Sequence, residues 1–105
     1  PYRPKAPPVV TQEMVANAMK DAPLQTQQTA VSLSAIQRYV DRIVSGDTAS
    51  AINVDDGIIV DGNYRCIAGR IMGIEPAQIP AVGGRPSQVV PWSNVFLDPV
   101  DWGNK

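Results

Sequence analysis

The sequence predicts a small α+β domain, a short mixed sheet packed by three or four helices. Three observations carry that reading. Ile36, Tyr39, Val40, Ile43 and Val44 recur at the 3.6-residue period of a core-facing helix, and so do Tyr64, Ile67, Ala68, Ile71 and Met72. Between them, Asp55-Asp56-Gly57 separates two short apolar runs, the pattern of a hairpin turn. A length of 105 residues, 44% of them hydrophobic, suits one domain with a single core.

The elements follow in order. Prolines 1, 4, 7 and 8, with Arg3 and Lys5 among them, make residues 1–10 an extended arm or linker, leaving residues 11–105 as a single domain. A start at Pro1, not Met, is expected of a chain cut from a longer polypeptide or trimmed at its start. Thr11 is a good N-cap, and Met14, Val15, Ala18 and Met19 make a helical stripe, so a helix is predicted over residues 12–20, with Pro23 closing the region. Residues 25–31 alternate weakly and read as an edge strand or an ordered loop. Ser34 opens the next helix in a capping-box pattern, with Gln37 three residues on and Gly46 as the stop. Arg38, Asp41 and Arg42 fall on its solvent side.

Residues 51–54 and 58–60 are the two strands of the hairpin, the second apolar enough to be central. A helix over residues 63–72 comes next and ends at Gly73. Residues 78–82 read as a strand that Pro80 confines to a sheet edge. Gly83-Gly84-Arg85-Pro86 is a loop, and Pro91-Trp92-Ser93-Asn94 opens a single helical turn. Trp92 and Trp102 are expected to cover the sheet.

Bulk properties exclude several classes of function. The formal net charge is −1, so any nucleic acid or nucleotide must be bound by a local site, not by a basic surface. The chain has no histidine, which removes Ser-His-Asp, Cys-His and histidine-based metal chemistry and leaves acid–base work to Asp, Glu, Tyr or Lys. Cys66 is the one cysteine, so no internal disulfide exists, and without a histidine to activate it the residue reads as part of the core. No apolar run approaches the roughly 20 residues a bilayer span requires, and no signal peptide is visible.

The most informative segment is Asp61-Gly62-Asn63-Tyr64-Arg65, where a buried strand runs through a glycine turn into a helix. Such a turn gathers free backbone N–H groups where the helix dipole is positive, which suits an anion and above all phosphate. Arg65 sharpens the case, since the dipole disfavours a cation in the first turn unless a negative group is held there. The other reading is that Arg65 pairs with Asp61 or a nearby carboxylate and the turn binds nothing.

With those residues in view, the segment from residue 32 to 82, about half the chain, resembles the ParB/sulfiredoxin-like fold. The matching pieces are a helix over residues 35–44 with Gly46, strands over 51–54 and 58–60, and Gly62-Asn63-Tyr64-Arg65 as the family's G-x-x-R turn. Gly73, the strand near Ile79 and Gln28 also fit. The form Ile59-Val60-Asp61-Gly62-Asn63, then Arg65 and Ile67-Ala68, is similar to versions in bacterial secreted toxin modules.

The resemblance implies that the turn binds phosphate of a nucleotide or nucleic acid. Gly62 would allow close backbone approach, Arg65 would hold the phosphate, and Asn63 would serve as cap and ligand. Many family members carry histidine just before the arginine, where this chain has Tyr64. That departure implies a phenol in its place, a binding-only site, or a chain altered to suppress activity, and it leaves Asp61 as the carboxylate for general-base or metal work. The toxin resemblance further implies the C-terminal toxin domain of a secreted effector, a nuclease or nucleotide hydrolase or transferase. Asp61, Tyr64 and Arg65 would be its catalytic residues, a divalent metal an admissible cofactor, and a cognate immunity protein its partner. It would be delivered into a target cell and act in the cytoplasm. The competing expectations are a nucleotide-binding switch, as in the chromosome-partition members, and an interaction domain in which Asp61 and Arg65 form only an ion pair.

Overall fold

Thr11 starts the first helix as its position predicts. In the computed structural model, which describes residues 6–101, its side chain accepts a hydrogen bond from the Met14 N–H at 3.1 Å and opens α1, Gln12–Met19. Val15 and Met19 are the buried face of this helix. The next stretch, expected as edge strand or loop, is both. Gln25 forms a single bridge to Ile58, Thr26 a single bridge to Val90, and only Ala30–Ser32 is a true strand, β1.

β1 leads directly into α2, Leu33–Val44. The predicted capping box at Ser34 is displaced by two residues: Ser32, the buried end of β1, is the cap, and its Oγ accepts from the Ala35 N–H at 3.2 Å. With the helix starting earlier, Gln37 lies too far along to reach back to its start. Its amide instead accepts from the Val10 N–H at 2.7 Å and donates to the Pro8 carbonyl at 2.8 Å, fastening residues 8–10 to α2. Arg38 lies on the partly exposed side and pairs with Asp101 at 2.7 Å.

The hairpin forms as predicted, from β2, Ile52–Asp55, and β3, Ile58–Asp61. Asp56 and Gly57 hold φ of 47° and 82°, the left-handed pair that a two-residue turn of this hand requires. The position of β3 is a correction. The three-stranded sheet runs β3-β2-β4, where β4 is Gln78–Pro80, so β2 is its central strand. β3 reads as central because Ile58 and Ile59 are both buried, and the Gln25 backbone bonds to Gly57 and Ile59 cover its outer edge there. β2 pairs antiparallel with β3 and parallel with β4, and Pro80 sits on an edge as expected.

Helix α3, Asn63–Ile71, buries Tyr64, Cys66, Ile67 and Ala68 against α2, α1 and β2. Two 3₁₀ turns, Pro86–Gln88 and Trp92–Asn94, precede a strand that sequence reading did not find, β5, Phe96–Asp98. β5 pairs in parallel with β1 to make a second, two-stranded sheet. Trp92 packs on the core and donates its indole N–H to the Leu24 carbonyl at 3.0 Å. Trp102 lies outside the described residues. The result is an α+β domain of three helices and short sheets, and no described helix is long and apolar enough to cross a membrane.

Candidate functional site

β3 delivers the chain to Gly62, which caps α3 in the left-handed region at φ 110°. A Cβ there would stand 2.5 Å from Ile52 Cγ2 and 2.8 Å from Arg65 Nη2. Glycine is therefore demanded twice, by backbone angle and by the close approach of β2. No side chain caps the helix, and its first turn lines a cleft of about 280 Å³. Asp61, Gly62, Asn63, Tyr64 and Arg65 all line it, together with Gln28, Tyr39 and Val60.

Asn63 was expected to cap the helix, and that expectation is corrected: Gly62 is the cap and Asn63 is the first helical residue. Its side chain is drawn elsewhere. Asn63 Oδ1 accepts from Thr26 Oγ1 at 2.7 Å, and Nδ2 donates to Gln28 Oε1 at 3.2 Å. Thr26 Oγ1 in turn accepts from the Gln28 N–H at 3.0 Å, and the Gln28 amide donates to the Ala30 carbonyl at 2.9 Å. This largely buried network locks one wall of the cleft.

Arg65 reaches back to Asp61, with Nη2 3.1 Å from Oδ2. The pair is unequal, because the arginine side chain is 19% exposed and the aspartate 66%. One partly solvated ion pair of this kind is worth at most about 1 kcal/mol. Arg65 Nε, by contrast, is buried and has no hydrogen-bond partner. An unsatisfied buried donor costs about 1–3 kcal/mol.

Tyr64 is buried, and its ring stacks on Tyr39 with centroids 6.0 Å apart and planes 14° apart. Its phenol oxygen accepts from the Ser32 N–H at 2.9 Å. Burial raises the phenol above its ordinary pKa, against the opposing effects of that hydrogen bond and of Arg38, so it is neutral at neutral pH. It can donate a proton or a hydrogen bond there but cannot act as a phenolate base. Its bond to Ser32 ties the first turn of α3 to the cap of α2. Tyr64→Phe is accordingly expected to lower stability by about 1–2 kcal/mol by leaving a buried N–H unpaired, read as a shift of the urea midpoint.

Cys66 lies in the core as expected, and burial, with a smaller contribution from Glu75, pushes its thiol up to about 11. It carries no thiolate at neutral pH. Among the described residues no group of three or more Cys, Asp or Glu side chains converges to hold a metal ion. The structure thus brings Asp61, Gly62, Asn63, Tyr64 and Arg65 to one cleft, but it sets Asp61 against Arg65 and commits Asn63 and Tyr64 to internal bonds. Sequence reading missed Thr26, whose partner lies 37 positions away, and Tyr39, which looked like one more apolar position of α2. Comparison with protein-family models, curated proteins and solved structures yields no significant match.

Proposed function

We propose that the turn at residues 62–65 binds the phosphate of a nucleotide or nucleic acid, in a ParB/sulfiredoxin-like domain that serves as the toxin module of a secreted bacterial effector. One observation carries the phosphate reading: a first helical turn with no side-chain cap lines one cleft together with Arg65. Backbone N–H groups and a guanidinium edge together match the acceptor geometry of a phosphate oxygen pair. The family likeness of the Gly62-Asn63-Tyr64-Arg65 motif supplies the rest.

The chemistry that follows uses the chain's own groups. Phosphate on Arg65 competes with Asp61 for the guanidinium and frees a carboxylate within reach of the bound ligand. Asp61 can then take a proton from a water that attacks phosphorus, the P–O bond to the leaving oxygen breaks and that oxygen takes a proton from solvent, while Arg65 and the first-turn N–H groups stabilise the charge that develops on the phosphate. The Tyr64 phenol, bonded to the Ser32 N–H, holds the first turn of α3 in place. Among the described residues the carboxylates do not gather into a metal site. A cognate immunity protein covering this cleft in the producing cell completes the reading.

The test is growth of bacteria on induced expression of the domain. Wild type is expected to arrest growth and Asp61→Ala to relieve the arrest. The melting temperature should fall by no more than about 4–8 °C, because Asp61 is mostly exposed and its ion pair contributes at most about 1 kcal/mol. A harmless wild type that leaves nucleotides and nucleic acids intact, with a Tyr64→His variant equally inert, would sink the enzymatic half. Phosphate binding without hydrolysis would then stand.

A further inference from the structure

A cleft of about 530 Å³ lies between α1 and the chain from residue 91 to 97, and it shares no lining residue with the cleft at Gly62. Buried Val15, Met19 and Val95 line it. Trp92 is a wall already set in place, because its indole N–H is bonded to the Leu24 carbonyl. Ala16, on the exposed side of α1, leaves the space open. An apolar hollow of this size is within the range that holds ligand groups. Two further observations say what kind of group it suits.

The first concerns the main chain of β5. Phe96 donates to the Thr29 carbonyl, and the parallel register makes Phe96 and Asp98 the residues of β5 that bond β1. Bonding direction alternates along a strand, so the N–H and C=O of Leu97 between them turn away from β1. The Ser32 N–H agrees with this: it is bonded to the Tyr64 phenol and not to the Leu97 carbonyl. Among the described residues neither main-chain group of Leu97 has a partner, and no second strand lies beside β5. Leu97 also lines the cleft. An open strand edge beside an apolar hollow is the arrangement that receives an extended peptide, with main-chain bonds holding it and alternate side chains entering the hollow.

The second concerns charge. Lys20 is the one charged residue that lines the cleft; it is exposed and has no ion-pair partner among the described residues. We infer that this cleft docks an extended segment of a partner protein. An apolar side chain of that segment enters between Met19 and Trp92, a carboxylate meets Lys20, and one residue exchanges a pair of hydrogen bonds with Leu97. The open edge is short, because the Val95 N–H is bonded to the Trp92 carbonyl and Pro99 has no N–H to offer. The contact is therefore a brief, reversible one. Residues 1–5 of this chain are poor occupants, since Arg3 and Lys5 would meet Lys20.

The experiment is fluorescence anisotropy with labelled hexapeptides in which threonine alternates with valine, leucine or phenylalanine and aspartate stands at one end. Each is also made with its third or its fourth residue N-methylated. The proteins are wild type, Ala16→Trp and Lys20→Glu, with thermal melts to confirm folding. At least one peptide is expected to saturate wild type. Methylation at one of the two positions should weaken it about tenfold or more and methylation at the other should change it little, because only alternate residues face the edge. Ala16→Trp fills the cleft and should abolish binding. Lys20→Glu should weaken it about fivefold.

Failure of every peptide to saturate wild type overturns the inference. So does equal binding of the two methylated forms, or binding that ignores Ala16→Trp. Displacement of the peptide by an equal concentration of decanoate would make the cleft a site for an aliphatic carboxylate instead. A wild type that sediments alone as a dimer, and returns to monomer in Ala16→Trp, would give the cleft to a second copy of this chain and overturn the inference equally.

Discussion

Gly62→Ala is expected to cost about 2–4 kcal/mol of stability, the sum of left-handed backbone strain and an overpacked contact. The residue holds φ at 110°, and its new methyl would meet Ile52 Cγ2 at 2.5 Å, well inside van der Waals contact. Ile52 is fully buried in the central strand and cannot swing away. Gly57→Ala is the control. Its φ is 82°, but nothing lies within 4 Å of an added Cβ, so it should lose only the strain, about 1–2 kcal/mol. Urea unfolding of the two variants separates backbone from contact. Equal losses would mean that β2 does not press on the turn.

Arg65→Ala is expected to weaken phosphate binding by about 1.5–3 kcal/mol, or roughly 10- to 150-fold, through loss of charge-assisted hydrogen bonds. Stability should fall modestly, since the variant removes an ion pair with an exposed partner and an unsatisfied buried donor but also the packing of a side chain that is 19% exposed. Arg65→Lys separates charge from shape. It keeps the cation but supplies neither the Nε donor nor the planar fork, so its affinity is expected to fall between wild type and Arg65→Ala. Unchanged affinity in Arg65→Ala would take the residue out of the site. A large loss of stability in the same variant would instead make the Asp61 pair a structural fastening.

The most legible part of the fold was the run from Ile58 to Ile71, because its apolar period changes from that of a strand to that of a helix within a few residues and Gly62 marks the change. Thr11 was legible for a related reason: a cap acts within one turn, and its acceptor bond spans three residues. What escaped depends on distant partners. Phe96–Asp98 has three residues and no period to measure, and it becomes a strand only against Ala30–Ser32. The cap of α2 fell to Ser32 over Ser34 because β1 ends there, and β1, legible only as an edge strand or loop, takes its extent from β5. Within the site, the types and spacing of Gly62 and Arg65 were readable. The Thr26–Asn63–Gln28 network was not, because amide and hydroxyl side chains choose partners only after the chain has packed.

The pairing of β1 with β5 also sets an order of events as the chain leaves the ribosome. β1 has β5 as its strand partner, and that partner is among the last of the described residues to be made. The hairpin of β2 and β3 can close early, since its loop is two residues long, but the Val31 backbone must wait for Leu97. α2 and the Ser32 to Tyr64 bond are built on that late strand. The site at Gly62 is therefore expected to mature only when nearly the whole domain has emerged.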